Sequence, residues 1–259
     1  MTSAIKRVVL FLALPVVLLV VWWFASAGST KYQAPPLDKI FAAFGDQWFK
    51  STALRDDVLP SLLRLAEGYA LALVVGIGLG VVIGSIQWLR STLEPVLEFL
   101  RAIPPPVLVP VIVLFAGIGD TMKVLVILAG CVWPILLNTV EGVRGADEVL
   151  VDTGRSYRIT GWMRLRKLVL PGAAPQIFTG ARQSLAIAII LMVISEMFAA
   201  SSGLGFTVVQ FQRGFQIPEM WSGVLLLGLL GVALATLFRL VEHRVLAWYH
   251  GQRHTHRSW

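Results

Sequence analysis

The sequence predicts an all-α membrane protein with six transmembrane helices. Of its 259 residues, 56% are hydrophobic and 14% charged, and several apolar runs approach the roughly 20 residues a helix needs to cross a bilayer. A membrane β-barrel would instead show repeated alternating segments of about ten residues, and none dominate. The single Cys131 sits inside an apolar run, which excludes a disulfide framework and a cysteine-based metal site. The net charge of +7 follows the membrane in its distribution, so the expected surroundings are a lipid bilayer and no nucleic acid.

The first span, about Val8 to Ala27, follows Lys6 and Arg7. Ala25-Ser26-Ala27 resembles a signal cleavage site, but the run exceeds the usual 7–15 residue signal core. Trp22, Trp23 and Phe24 close it as an interfacial aromatic belt would, so residues 1–28 read as a retained N-terminal anchor. An extracytoplasmic loop is expected over 29–64, and the second span over about Leu65 to Leu89. Gly76, Gly80 and Gly84 recur every fourth position in it, a stripe that lets two helix backbones approach closely. The third span, about Val107 to Ile118, is short, and Pro104, Pro105, Pro106 and Pro110 blur its start. The fourth runs from about Met122 to Thr139, with Asn138 and Thr139 read as capping residues at its end. The fifth covers about Ile177 to Ala199 and the sixth about Trp221 to Val241. Residues 65–245 thus form a five-helix core, and 246–259 a tail.

Lys and Arg set the orientation. Fifteen of the 22 fall in the N-terminus, the segment 90–104, the segment 140–176 with nearby Arg182, and the C-terminal end from Arg239 onward. The other seven, Lys31, Lys39, Lys50, Arg55, Arg64, Lys123 and Arg213, fall on the opposite side among Asp38, Asp46, Asp56 and Asp57. Both termini are therefore expected in the cytoplasm.

A charge at membrane depth is costly and points to function by default. Glu196, near the end of the fifth span, is expected to face the bundle or a water-filled path. Arg64 and Glu67 are read as snorkelling from the outer end of the second span. Trp133, Asn138, Ser184, Ser195 and Glu196 are candidate lining residues of a path, and no cluster of cationic side chains for an anion is legible. No Gly-x-x-x-x-Gly-Lys-Ser/Thr loop occurs, so the chain is not expected to hydrolyse nucleotide itself. His-Glu-x-x-His and Gly-x-Ser-x-Gly are missing too, and His250, His254 and His256 read as incidental histidines of a tail, with no metal expected.

The most informative stretch is 152–171, DTGRSYRITGWMRLRKLVLP. Arg155, Arg158, Arg164, Arg166 and Lys167 alternate there with Ile159, Trp162, Met163, Leu165, Leu168 and Leu170. A segment that served only to hold anionic lipid would need the charges and not the large apolar groups. With the following Gly172, Ala173, Ala174 and Pro175, it resembles the cytoplasmic docking loop of permease subunits in bacterial ATP-binding cassette importers. That family's pattern is Glu-Ala-Ala, three residues, Gly, nine residues, Ile-x-Leu-Pro. Asp152, Thr153 and Gly154 stand at its first three places, and Leu168, Leu170 and Pro171 at its end. Arg158 takes the place of the family glycine, where a partner-specific charged contact is expected instead of a free turn.

LEPVLEFLRAIPPPVLVPVIVLFAGIGD, WPILLNTVEGV and SEMFAASSGLGFTV extend the resemblance to nearly the whole chain and to the nitrate, taurine and aliphatic sulfonate subgroup. The resemblance implies a type I importer permease fold and a multi-pass place in the bacterial inner membrane. It implies a coupling loop over 147–171 that docks a cytosolic ATPase dimer through Asp152, Gly154, Arg155, Arg158, Ile159, Trp162, Leu165, Leu170 and Pro171. Leu170 and Pro171 are expected to end the docking unit and restart the chain toward the fifth span. A second permease copy as homodimer partner and a periplasmic or lipid-anchored solute-binding protein complete the implied assembly, with ATP and Mg held by the ATPase and no cofactor in this chain. The alternatives are a self-contained secondary transporter, expected to show inverted repeats and broken helices, and a membrane scaffold without transport.

Overall fold

The computed structural model describes residues 3–26, 28, 33–145, 152–154, 156–198 and 200–249, with side chains from residue 13 onward except residue 15. Every regular element among them is helical. In chain order these are α1 (Ser3–Ser26), α2 (Leu37–Phe44), α3 (Leu59–Ser85), α4 (Gln87–Ala102), α5 (Leu108–Ala116), α6 (Asp120–Arg144), α7 (Gly161–Arg164), α8 (Leu170–Phe198), α9 (Leu204–Arg213) and α10 (Ile217–Val245). Wide π-type turns at Leu54–Val58 and Leu165–Val169 lead into α3 and α8 without breaking them.

Among the described residues, four helical runs are long and apolar enough to cross a membrane: Leu54–Ser85, Asp120–Arg144, Gly161–Phe198 and Ile217–Val245. The expected third span departs from a straight helix. α5 has nine residues, roughly 14 Å at 1.5 Å per residue, too short to cross alone. It meets α4 at a 77° bend. Pro104, Pro105 and Pro106 supply no backbone donors, and Ile103 before them is extended at φ −71°, ψ 118°, so the helix must stop there. The segment between the expected second and third spans is α4, whose Leu89, Leu93 and Leu97 recur every fourth residue and pack on Ile83, Leu136 and Val140.

The centre of the bundle is α3, α6 and α8. α3 and α6 run in the same direction and touch along one seam: a Cβ at Gly68 would meet Ile127, at Gly76 Ile135, at Gly80 Thr139 and at Gly84 Val143. Both sides of the seam advance by about one turn at a time, so each missing Cβ receives one side chain of α6. The expected stripe Gly76, Gly80, Gly84 is thus a packing seam, extended by Gly68. Gly80→Val is expected to destabilise the fold by about 1–3 kcal/mol or more through overpacking, since its Cβ would lie 2.6 Å from that of Thr139. Gly78→Ala, with nothing within 4 Å of the new Cβ, is expected to be neutral or to gain up to about 1 kcal/mol of helix propensity. Thermal unfolding of the purified protein separates the two.

α6 continues beyond the expected end of the fourth span to Arg144, so Asn138 and Thr139 cap nothing. Thr139 is fully buried and donates to the Ile135 carbonyl at 2.6 Å, while Asn138 donates to that of Pro134 at 2.8 Å. The segment expected as an outer loop also folds: α2 packs on α10, and the buried Trp48 donates from Nε1 to Ser222 Oγ at 3.1 Å.

Candidate functional site

Two groups of residues stand out, at the opposite ends of one helix. Gly161–Phe198 is a single run of 38 residues, roughly 55 Å long. Pro171 was expected to end the docking unit, and it does not. A proline collides with the carbonyl four residues back in a tight α-turn; here that residue, Lys167, lies in the π-type turn Leu165–Val169, whose wider winding absorbs the ring.

At the near end, a short helical turn starts with Asp152, Thr153 and Gly154. The Tyr157 amide donates to Thr153 O at 3.0 Å and the Ile159 amide to Gly154 O at 2.8 Å. The second bond spans five residues, as in a helix end closed by a left-handed residue. That residue is Arg158, at φ 53°. The expectation that arginine replaces the family's turn is therefore corrected: the turn is kept, at a cost of about 1–2 kcal/mol for a side chain in the left-handed region. Arg158→Gly is expected to recover about 1 kcal/mol of that cost, whereas Arg158→Val, β-branched, is expected to lose the turn. Unfolding temperature in detergent reads both.

α7 follows from extended Thr160 and left-handed Gly161. Its two faces differ. Leu165, Leu168, Val169 and Leu170 are half-buried, and Leu168 covers the buried Gly154. Tyr157, Trp162 and Met163 are 78%, 71% and 51% exposed, ringed by exposed Arg158, Arg164, Arg166 and Lys167. Ile159 is half-buried beside them. Arg155 lies outside the described residues, as do His250, His254 and His256.

At the far end, Glu196 is completely buried. Its Oε1 accepts from Ser61 Oγ at 2.7 Å and Arg64 Nη1 at 2.9 Å, and its Oε2 from the Gly205 amide at 3.0 Å. The Leu204 amide donates to Ser61 Oγ at 2.9 Å and the Gly203 amide to Asp57 Oδ1 at 3.0 Å. Donors orphaned at the start of α9 are thereby satisfied, and the carboxylate sits where a helix N-terminus favours negative charge. Gly203, at φ 121°, has no room for a Cβ against that carboxylate.

Arg64 does not snorkel. It is 6% exposed, and besides Glu196 it donates to Ser202 O at 3.2 Å and Ser202 Oγ at 3.1 Å. Its Nε lies 2.7 Å from Asp120 Oδ1, off the hydrogen-bonding direction, and is the one buried side-chain nitrogen or oxygen among the described residues without a hydrogen bond. Lys123, 3% exposed, donates to the same Asp120 oxygen at 3.2 Å. The absence of a cationic cluster in the sequence reading is thus corrected: 59 positions apart in the chain, Arg64 and Lys123 converge. Glu67 is exposed, as expected. The clue available in the sequence was that Arg64, Lys123 and Glu196 share one side of the predicted topology.

The other candidate lining residues are not gathered there. Ser184 and Ser195 are buried and donate to carbonyls of their own helix, Ala181 O at 3.0 Å and Met192 O at 2.9 Å. Trp133 and Asn138 are half-buried on α6.

Residues 72–247 match the family described as binding-protein-dependent transport system inner membrane component. The chain belongs to that family. This permease is 29% identical over 253 residues, 95% of its length and 92% of the relative's, to the taurine transport system permease protein of Escherichia coli. It is 30% identical to the putative aliphatic sulfonates transport permease protein of Bacillus subtilis, over 73% of this chain and 68% of that one. The nitrate import permease protein of Synechocystis is 27% identical over 89% of this chain and 86% of its own. Among solved structures, an inward-facing form of the MetNI methionine ABC transporter covers 75% of the permease and 94% of that chain, with TM-score 0.63 at 20% identity. The fold is therefore that of an ATP-binding cassette importer permease, and the chain is a transport subunit of the inner-membrane type.

Proposed function

We propose that two copies of this permease form the translocation path for a small solute bearing an oxoanion group, such as nitrate, taurine or another sulfonate. A periplasmic or lipid-anchored binding protein delivers the solute, and a separate ATPase dimer, which holds ATP and Mg, docks on residues 152–171. The observation that supports this reading is the unbroken helix Gly161–Phe198, with an exposed aromatic and basic face at one end and Glu196 locked to Arg64 at the other. The cargo class follows the relatives for taurine, sulfonates and nitrate. In this reading both termini and the docking face lie on the cytoplasmic side of a bacterial inner membrane, where most Lys and Arg fall.

The mechanism follows from stiffness. Trp162 and Met163 fill a groove on the ATPase, and the surrounding arginines set registry. When the ATPase dimer closes on ATP, the docked ends move together; the run Gly161–Phe198 is unbroken from Trp162 to Glu196, so it carries the displacement as a rigid body. The ties from Glu196 and Arg64 to α3, Ser202 and the start of α9 make the outer end move as one block. Tagged permease co-expressed with its cognate ATPase tests the assembly: a complex with two copies of each is expected. Monodisperse permease alone, with uptake driven by a sodium or proton gradient, would favour the secondary-transporter alternative.

A further inference from the structure

We infer that the cavity beside Arg64 and Lys123 is an oxoanion-binding site at the outer mouth of the permease, and that Asp120 is its built-in, displaceable counter-ion. The inference rests on the importer reading for the identity of the solute, and on the residues alone for the site. The cavity is about 430 Å³; Arg64, Asp120, Lys123, Ser201 and Ser202 form its polar side, and Ile118, Phe198 and Ala200 its apolar side. A water occupies about 30 Å³ of liquid, so a nitrate or sulfonate group fits together with several waters.

The charges are distributed asymmetrically. Glu196 is fully committed: both its oxygens accept hydrogen bonds from Ser61, Arg64 and Gly205. That leaves the Nε edge of Arg64 and the ammonium of Lys123 facing a single carboxylate oxygen, Asp120 Oδ1. The two cations are held in place, with side chains 7% and 4% exposed, whereas the Asp120 side chain is 68% exposed. Only the anion of this trio can leave without unfolding its surroundings. With Arg64 already paired to Glu196, loss of Asp120 would leave the buried Lys123 ammonium uncompensated, so whatever displaces Asp120 must bring negative charge, preferably on oxygens that accept from both donors at once. The unsatisfied Nε–H, which Asp120 approaches at 2.7 Å without meeting its axis, is the bond left for that ligand. Displacement also defines the selectivity: a neutral solute would leave Lys123 uncompensated, and a cation would be repelled.

Purified permease–ATPase complex in lipid nanodiscs, titrated with nitrate and with methanesulfonate against urea as a neutral control, tests the site by calorimetry and by anion-dependent unfolding temperature. Asp120→Asn removes the internal competitor, so both anions should bind at least tenfold more tightly and raise the unfolding temperature more than in the parent. Lys123→Gln should weaken them by tenfold or more. Ser201→Asp, at an exposed position, fixes a carboxylate in the cavity without touching the fold and should abolish binding even if the Lys123 variant fails to assemble. Equal affinities in the parent, D120N and S201D, or no anion binding in either the parent or D120N, would overturn the site. Uptake separates this from the cargo: neutral-solute import with intact Asp120-dependent anion binding removes only the cargo, whereas oxoanion import with unchanged KM in S201D removes only the site.

Discussion

Arg64→Ala is expected to destabilise the permease by about 3–5 kcal/mol, the largest effect of any single substitution considered, because it leaves a completely buried carboxylate without its cation. Glu196 would keep Ser61 and the Gly205 amide, but neutral donors do not balance a charge in a low-dielectric interior. Glu196→Ala should cost a similar amount, since it strands Arg64 and also releases the start of α9. The pair itself need not be worth that much. Arg64→Met with Glu196→Met should recover most of the loss, as well-packed apolar replacements of buried ion pairs commonly do. Unfolding of the four proteins in one detergent measures the two losses and the recovery. Single variants that lose less than about 1 kcal/mol would mean that water reaches Glu196.

Trp162→Ala is expected to weaken ATPase binding by about 30-fold, equivalent to roughly 2 kcal/mol for a central aromatic anchor. Its own fold should be unchanged, because Trp162 is 71% exposed and supports nothing inside the permease. Titrating labelled ATPase onto nanodisc-held permease reads the affinity, and the unfolding temperature checks the fold. The arginines act differently: reversing Arg158 with Arg158→Glu should slow association and make the defect salt-dependent, since a charge at the rim of an interface acts mainly on encounter.

Much of this architecture was legible because period and composition report directly on lipid and on close packing. Gly76, Gly80 and Gly84 declare a seam by spacing alone, and the structure supplies the partners Ile135, Thr139 and Val143. The resemblance to the family's loop was equally visible, since Asp152, Leu168, Leu170 and Pro171 stand at its positions. What stayed hidden depends on where distant segments meet. Arg64 looks like a snorkelling residue at a helix end until Glu196 and Asp120, 132 and 56 positions away, close over it. α4 fell between the expected second and third spans, and its leucine stripe finds its partners, Ile83 on α3 and Leu136 and Val140 on α6, only in the folded bundle. Pro171 misled for a local reason: a proline normally ends a helix, and the π-type turn that accommodates it has no composition signal of its own. Arg158 misled similarly, because a left-handed arginine is unfavourable by about 1–2 kcal/mol but not forbidden.

The central claim is that a separate ATPase, coupled through the face around Trp162, powers solute movement through this chain. Uptake into proteoliposomes tests it most directly, using the permease, its cognate ATPase and solute-binding protein, and the labelled solute that this binding protein holds. The account predicts accumulation only when all three proteins and ATP are present, and its loss in Trp162→Ala although the permease remains folded. Accumulation without the ATPase, or full ATP-driven accumulation by Trp162→Ala, would contradict it.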